Sequence, residues 1–258
     1  MTELHSITLV VASQRSGSTL LCSDIASLGG MGKPNEYFLN ILPPKKTFNE
    51  SDVIEAIAKG EQPCDVGIGA VKLMVNYARN IDKYISGGPV VKEKNAIQNI
   101  IDWACTRFEK VNLLALVRNN TLDQATSRII SREKGLYHSH QGSHGNEDLL
   151  MFIKSKNPDY YWNILSEILI IKRESEVIRE IADANRDICL LLEYEMLTTS
   201  FDQSSALLID HAHMLGFVTK KQIPTRNLRK IIEKNQSDNI KEDFRIFMNS
   251  QLNAWVGN

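Results

Sequence analysis

The sequence predicts an α/β protein, three layers deep, around a central and mainly parallel sheet. Residues 7–12 (ITLVVA) form a largely apolar, β-branched run and 111–117 (VNLLALV) another buried-strand run, the form taken by parallel strands covered on both faces. Each is followed by a polar turn and then by apolar residues at helical spacing. Strands separated by helices imply right-handed crossovers, and such sheets receive ligands at the carboxyl ends of their strands.

The elements follow in order. After the strand at 7–12, a polar turn at 13–18 leads to a helix over 19–28, where Leu21, Cys22, Ile25 and Leu28 recur on one face and Gly29-Gly30 stops it. Segment 42–46 (LPPKK) reads as a stiff loop. Helices are expected over 51–59, 95–108, 121–134, 160–184 and 204–215. A short strand at 188–192 ends at Glu193, and 71–75 is a weaker strand because Lys72 interrupts it. Segment 135–145 (GLYHSHQGSHG) is rich in Gly, Ser and His and reads as a loop.

Length and composition narrow the function. At about 150 residues per domain, the 258 residues suffice for one large core, expected as a single domain over 1–258. Hydrophobic residues make up 43% and charged residues 24%, ordinary for a globular protein. The 30 Lys and Arg against 31 Asp and Glu leave a formal charge of −1, so no global basic field favours nucleic acid. The apolar runs fall far short of the roughly 20 residues that span a bilayer, so no integral membrane segment is expected. Residues 1–6 contain Glu3 and no Lys or Arg, unlike a secretion signal, and a cytoplasmic location is expected. Cys22, Cys64, Cys105 and Cys189 form no C-x-x-C pair and read as four buried, reduced thiols.

The loop after the first strand is the richest feature. In Ser13-Gln14-Arg15-Ser16-Gly17-Ser18-Thr19, small residues join a buried strand to a helix N-terminus, which points backbone N–H groups and the positive helix end at one spot. Gly17 permits close approach, the hydroxyls of Ser16, Ser18 and Thr19 add donors, and Arg15 adds a permanent charge. A phosphate fits there. The triphosphate signature G-x-x-x-x-G-K-[ST] fails, because Ser18 stands where Lys is required, and this disfavours an ATPase or kinase. The plainer alternative is a Ser-rich turn that merely caps the helix.

Residues 13–38 (SQRSGSTLLCSDIASLGGMGKPNEYF) resemble the opening of the bacterial carbohydrate sulfotransferases typified by trehalose 2-sulfotransferase. That family has a P-loop-like sulfotransferase fold and uses 3′-phosphoadenosine 5′-phosphosulfate (PAPS). The likeness rests on R-S-G-S-T-L-L and on G-x-P-x-E-Y-F, here Gly32 to Phe38. It continues in Ala70-Val71-Lys72-Leu73-Met74, in Leu116-Val117-Arg118 with Gln124-Ala125 and Ser127-Arg128, in Leu192-Glu193-Tyr194-Glu195, and in Gln236-Ser237-Asp238 with Asp243-Phe244, where Phe244 replaces an expected Trp.

The resemblance implies PAPS as co-substrate, 3′,5′-bisphosphoadenosine (PAP) as product, and a sugar or glycolipid headgroup as acceptor. Glu36 would be the general base. Arg15, Ser16, Gly17, Ser18 and Thr19 would hold the 5′-phosphate, Arg118 and Ser127 the 3′-phosphate, and Gln236 would line the donor site. No magnesium is needed on this reading, and a homodimer is implied. On residue chemistry alone, Glu36 reads as a solvated loop carboxylate, and the alternative for Arg118 is a pairing with Glu193 or another strand-end acid. The basic stretch 219–234 could cover the adenosine or be a solvated face. His138, His140 and His144 lack a metal-site pattern and suit an acceptor lid or an adventitious metal site better. A P-loop nucleotide kinase and a non-catalytic adenosine-nucleotide binder remain the alternatives.

Overall fold

The computed structural model describes residues 3–41, 50–134, 159–219 and 234–256. Four strands form one sheet in the order β2-β1-β3-β4, with β1 Ser6–Ala12, β2 Ile68–Met74, β3 Lys110–Val117 and β4 Cys189–Glu193. All pairings are parallel, and helices flank the sheet, as the sequence predicts. Every residue of β1 is buried, so both faces of that strand are covered. This explains why Leu9 to Ala12 run without apolar–polar alternation.

The helices are α1 Ser18–Leu28, α2 Glu50–Ala58, α3 Val75–Ser86, α4 Glu93–Arg107, α5 Thr121–Lys134, α6 Tyr160–Ala184, α7 Tyr194–Thr199, α8 Phe201–Met214 and α9 Lys234–Val256. A 3-10 helix spans Tyr37–Ile41. Helix α3 starts directly at the end of β2 and stops at Gly87, which is left-handed and donates its N–H to Lys83 O at 3.0 Å.

The chain forms two compact units, Met1–Asn119 with Glu174–Arg226, and Asn120–Arg173 with Asn227–Asn258. The first holds the sheet and a core that includes Ile7, Leu9, Val11, Leu21, Ile25, Leu113 and Leu114. Truncating such a side chain to alanine typically costs about 2–5 kcal/mol. At the amino end of β4, the buried His211 ring sets Nε2 3.2 Å from Ile188 O, and burial lowers its pKa below the usual histidine value. The second unit has its own core, built on Ala125, Ile129, Ile130, Tyr160, Ile164, Ile171, Ile240 and Phe244. Asn120 starts α5 by accepting the Asp123 N–H on its side chain at 3.0 Å. Arg128 and Arg132 both bind Glu167, and Tyr161 donates to Asp243 while its ring stacks on Phe247 at 4.4 Å.

The four cysteines are free thiols, but only Cys22 is buried; Cys189 is half-buried, and Cys64 and Cys105 are exposed. Cys64 lies in the turn before β2, and Cys105 falls on the outward side of α4. Residues 42–46, 135–145 and 220–233 lie outside the described residues, and so do His138, His140 and His144. No helix among the described residues is long and apolar enough to cross a membrane.

Candidate active site

Strand β1 is central, and the chain crosses from it to β2 on one side and later to β3 on the other. The crevice at its carboxyl end is therefore the switch point where α/β sheets receive ligands. Residues 13–17 lie there. Ser16 closes the loop, donating both its N–H (3.3 Å) and its hydroxyl (2.8 Å) to Ser13 O. Both Ser16 donors are thereby engaged within the loop, and the amides of Gly17, Ser18 and Thr19 follow at the start of α1. In the first turn of a helix such amides have no intrahelical acceptor. The α1 ladder begins with Leu20 and Leu21 donating to Gly17 O.

Two positive-φ residues shape this turn, Arg15 at 61° and Gly17 at 94°. A Cβ on residue 17 would lie 2.2 Å from Tyr194 Cδ2, so glycine is required twice over, by backbone and by space. Tyr194 also supports Arg118, whose guanidinium carbon lies 4.5 Å from the ring centroid. Arg118 Nη1 donates to Arg15 O at 3.3 Å, bringing the two arginines to one place. Burial, and then the Arg118 charge, lower the pKa of Arg15, while Tyr194 opposes the shift. Two juxtaposed guanidiniums at a helix N-terminus favour an anion. Glu193 does not take Arg118; it lies 3.7 Å from Arg179 Nη2. Arg179 also donates to Asn119 Oδ1 at 2.9 Å, and the Asn119 N–H donates to Glu195 Oε2 at 3.2 Å.

Glu36 stands just before the 3-10 helix. The connection that carries it is pinned from below, with Gly32 N–H donating to Asp65 Oδ2 (3.1 Å), Gln62 Nε2 donating to Gly32 O (3.1 Å), and Lys33 N–H donating to Gly60 O (2.7 Å). Glu36 Oε1 lies 3.0 Å from Lys72 Nζ, the side chains being 25% and 4% exposed. The Tyr77 hydroxyl donates to Lys72 O at 3.0 Å, and burial, reinforced by Glu36, pushes that phenol well above the usual tyrosine range. Burial also pushes the Cys22 thiol up to about 12, with Glu36 and Asp24 adding to the shift and Lys72 opposing it.

The first unit thus brings Arg15, Gly17, Ser18, Thr19 and Arg118 around one strand end and sets Glu36 on Lys72 between β2 and the 3-10 helix. Ser127 is buried on α5 in the second unit. Gln236 falls within α9, and its side chain lies outside the described residues. Phe244 is buried in the core of the second unit. Lys72 and Tyr194 stand within motifs that the sequence analysis quotes but to which it assigns no role. The signal for Lys72 was present as a charge inside an otherwise apolar strand.

Fold and loop together define an α/β protein with a tight Arg-, Ser- and Gly-containing turn at the carboxyl end of its central strand. Residues 7–93, about a third of the chain, match the family model for Stf0 sulphotransferase. The match takes in the loop, Glu36 and Lys72. No curated protein matches the chain. Among solved structures, the chain is similar to a sulfotransferase from Alicyclobacillus acidocaldarius, at 11% identity over 97% of this chain and 95% of that one, with a TM-score of 0.49. It is also similar to the sulfotransferase domain from the curacin biosynthetic pathway (15% identity, 92% and 83% covered, TM-score 0.43) and to that of the Synechococcus PCC 7002 olefin synthase (15%, 91% and 83%, 0.44).

Proposed function

We propose that the protein is a sulfotransferase that moves the sulfuryl group of PAPS to a hydroxyl of a carbohydrate acceptor, a trehalose-like sugar or a glycolipid headgroup. The observation that carries this reading is the pair of arginines, Arg15 and Arg118, gathered at the N-terminus of α1. PAPS carries a phosphate at each of its 3′ and 5′ positions and, in place of a β-phosphate, a transferable sulfonate, which suits two fixed cations and a loop without the P-loop lysine. Arg15 and the amides of Gly17, Ser18 and Thr19 hold the 5′-phosphate, and Arg118 takes the 3′-phosphate. The acceptor oxygen forms a bond to sulfur as the bond from sulfur to the 5′-phosphate oxygen breaks, with the electron pair leaving on PAP. Glu36 accepts the acceptor's proton. As in phosphoryl transfer, the protein contributes mainly placement and charge stabilisation.

The test is transfer of labelled sulfate from PAPS to trehalose, glucose and a trehalose glycolipid. Glu36→Gln is expected to lower turnover by about 10² to 10⁴-fold, the usual contribution of a positioned base, while PAP affinity barely changes. Transfer within a few-fold of wild type removes Glu36 from the base role. A protein that binds ATP or ADP in preference to PAP, or that transfers to none of these acceptors, overturns the reading.

A further inference from the structure

Lysine is rare inside a strand as buried as β2, where its neighbours Val71, Leu73 and Met74 belong to the core and its own side chain is 4% exposed. A cation is placed there at a desolvation cost that an apolar residue would avoid. Its partner is not buried to the same degree, since Glu36 keeps a quarter of its side chain exposed. The pair is thus asymmetric, with a fixed cation below and a carboxylate reaching outward above it.

Lys72 grips the same corner of the chain with its backbone. Its N–H donates to Asn35 O at 2.8 Å, and the Glu36 N–H is bound in turn by Asn35 Oδ1 at 2.9 Å. Tyr77, donating to Lys72 O, closes the set from α3 and also interacts with the Glu36 carboxylate. One strand residue therefore fixes both the main chain next to Glu36 and one oxygen of its side chain.

We infer that Lys72 is a positioning residue for the transfer reaction, clamping Oε1 of Glu36 so that the carboxylate is presented in one orientation to the acceptor hydroxyl. This deepens the functional reading above and rests on it. The clamp acts at the moment of proton transfer. It does not touch the donor phosphates, which belong to Arg15, Arg118 and the α1 amides. Its signature is therefore a loss of kcat with donor binding intact, and a loss that exists only while Glu36 is there to be positioned.

The experiment is a double-mutant cycle on the full chain, with Lys72→Met, Glu36→Gln and the double variant, read by sulfate transfer from PAPS to the accepted sugar and by calorimetric titration with PAP. Misplacing a reacting group by about 1 Å can cost on the order of 10²-fold, so Lys72→Met is expected to lower kcat by about 10- to 100-fold with PAP affinity within about twofold. In the Glu36→Gln background the same substitution is expected to change kcat by no more than about twofold, because coupled residues are not additive. Lys72→Arg, which keeps the charge, is expected to recover part of the loss and serves as the variant should Lys72→Met fail to fold. An active wild type whose Lys72→Met form stays within threefold of it overturns the clamp alone. A full further loss in the Glu36→Gln background does so too, since Lys72 would then act independently of Glu36. A wild type that neither binds PAP nor transfers sulfate overturns the functional reading and the clamp with it.

Discussion

Gly17→Ala probes the turn that shapes the proposed phosphate site. Residue 17 sits at φ 94°, and a Cβ there would lie 2.2 and 2.6 Å from Cδ2 and Cε2 of Tyr194. A side chain in left-handed backbone costs about 1–2 kcal/mol. Forcing the Tyr194 ring aside adds an overpacking penalty of about 1–3 kcal/mol. The expected loss is thus roughly 2–5 kcal/mol of stability, the sum of those two contributions. The displaced ring also withdraws support from Arg118, so PAP affinity should fall together with stability. Urea unfolding of wild type, Gly17→Ala, Tyr194→Ala and the double variant separates the two contributions. With the ring gone, Gly17→Ala should cost only the backbone share of about 1–2 kcal/mol. A single variant as stable as wild type refutes the reasoning, as does an equal cost in both backgrounds.

Arg118→Ala should remove most of the preference for PAP over AMP, because it deletes a charge-assisted contact worth about 1.5–3 kcal/mol; titration with both nucleotides checks it, and an unchanged ratio rules out the 3′-phosphate role. His211 gives a pH dependence. Its folded pKa lies below its unfolded value, so near neutral pH the ring is uncharged in both states, and as pH falls below about 6.5 the unfolded chain takes up the proton first. Stability should therefore decline from that pH downward, and urea unfolding of His211→Gln should show a flatter decline between neutral and mildly acidic pH.

The parts of the fold set by local chemistry were legible. Strands β1 and β3 announce themselves as predominantly apolar runs, broken only by the buried Thr8 and Asn112 within 7–12 and 111–117, and α1 follows from its apolar spacing and the Gly29-Gly30 stop. Lys72 made β2 look weak because a single charge mimics the polar punctuation of a loop. Helix α3 went unread because no turn separates it from β2, although Ala78, Ile81 and Ile85 carry its buried face. Helix α9 left a sparser trace, with Ile240, Phe244 and Met248 four residues apart. For the site, Arg15 and the loop follow from neighbouring residues alone. The Glu36–Lys72 contact and the Tyr194–Arg118 stack join positions 36 and 76 residues apart, and no periodicity in one sequence reports such a meeting.

The central position of β1 also governs how the chain can be made. Its seven residues are synthesised before the other strands of the sheet, yet one of its two hydrogen-bonding edges waits for β3, which begins at Lys110. Until then an apolar strand, buried on both faces in the finished protein, has at most β2 to pair with. Pairing over so long a separation is slow, and an open edge invites association with other chains. A nascent or truncated chain ending near residue 93 would carry the whole loop 13–19 and still lack the strand that pairs with the open edge of β1. The segment richest in recognisable chemistry therefore rests on a strand left half-paired until the chain reaches β3.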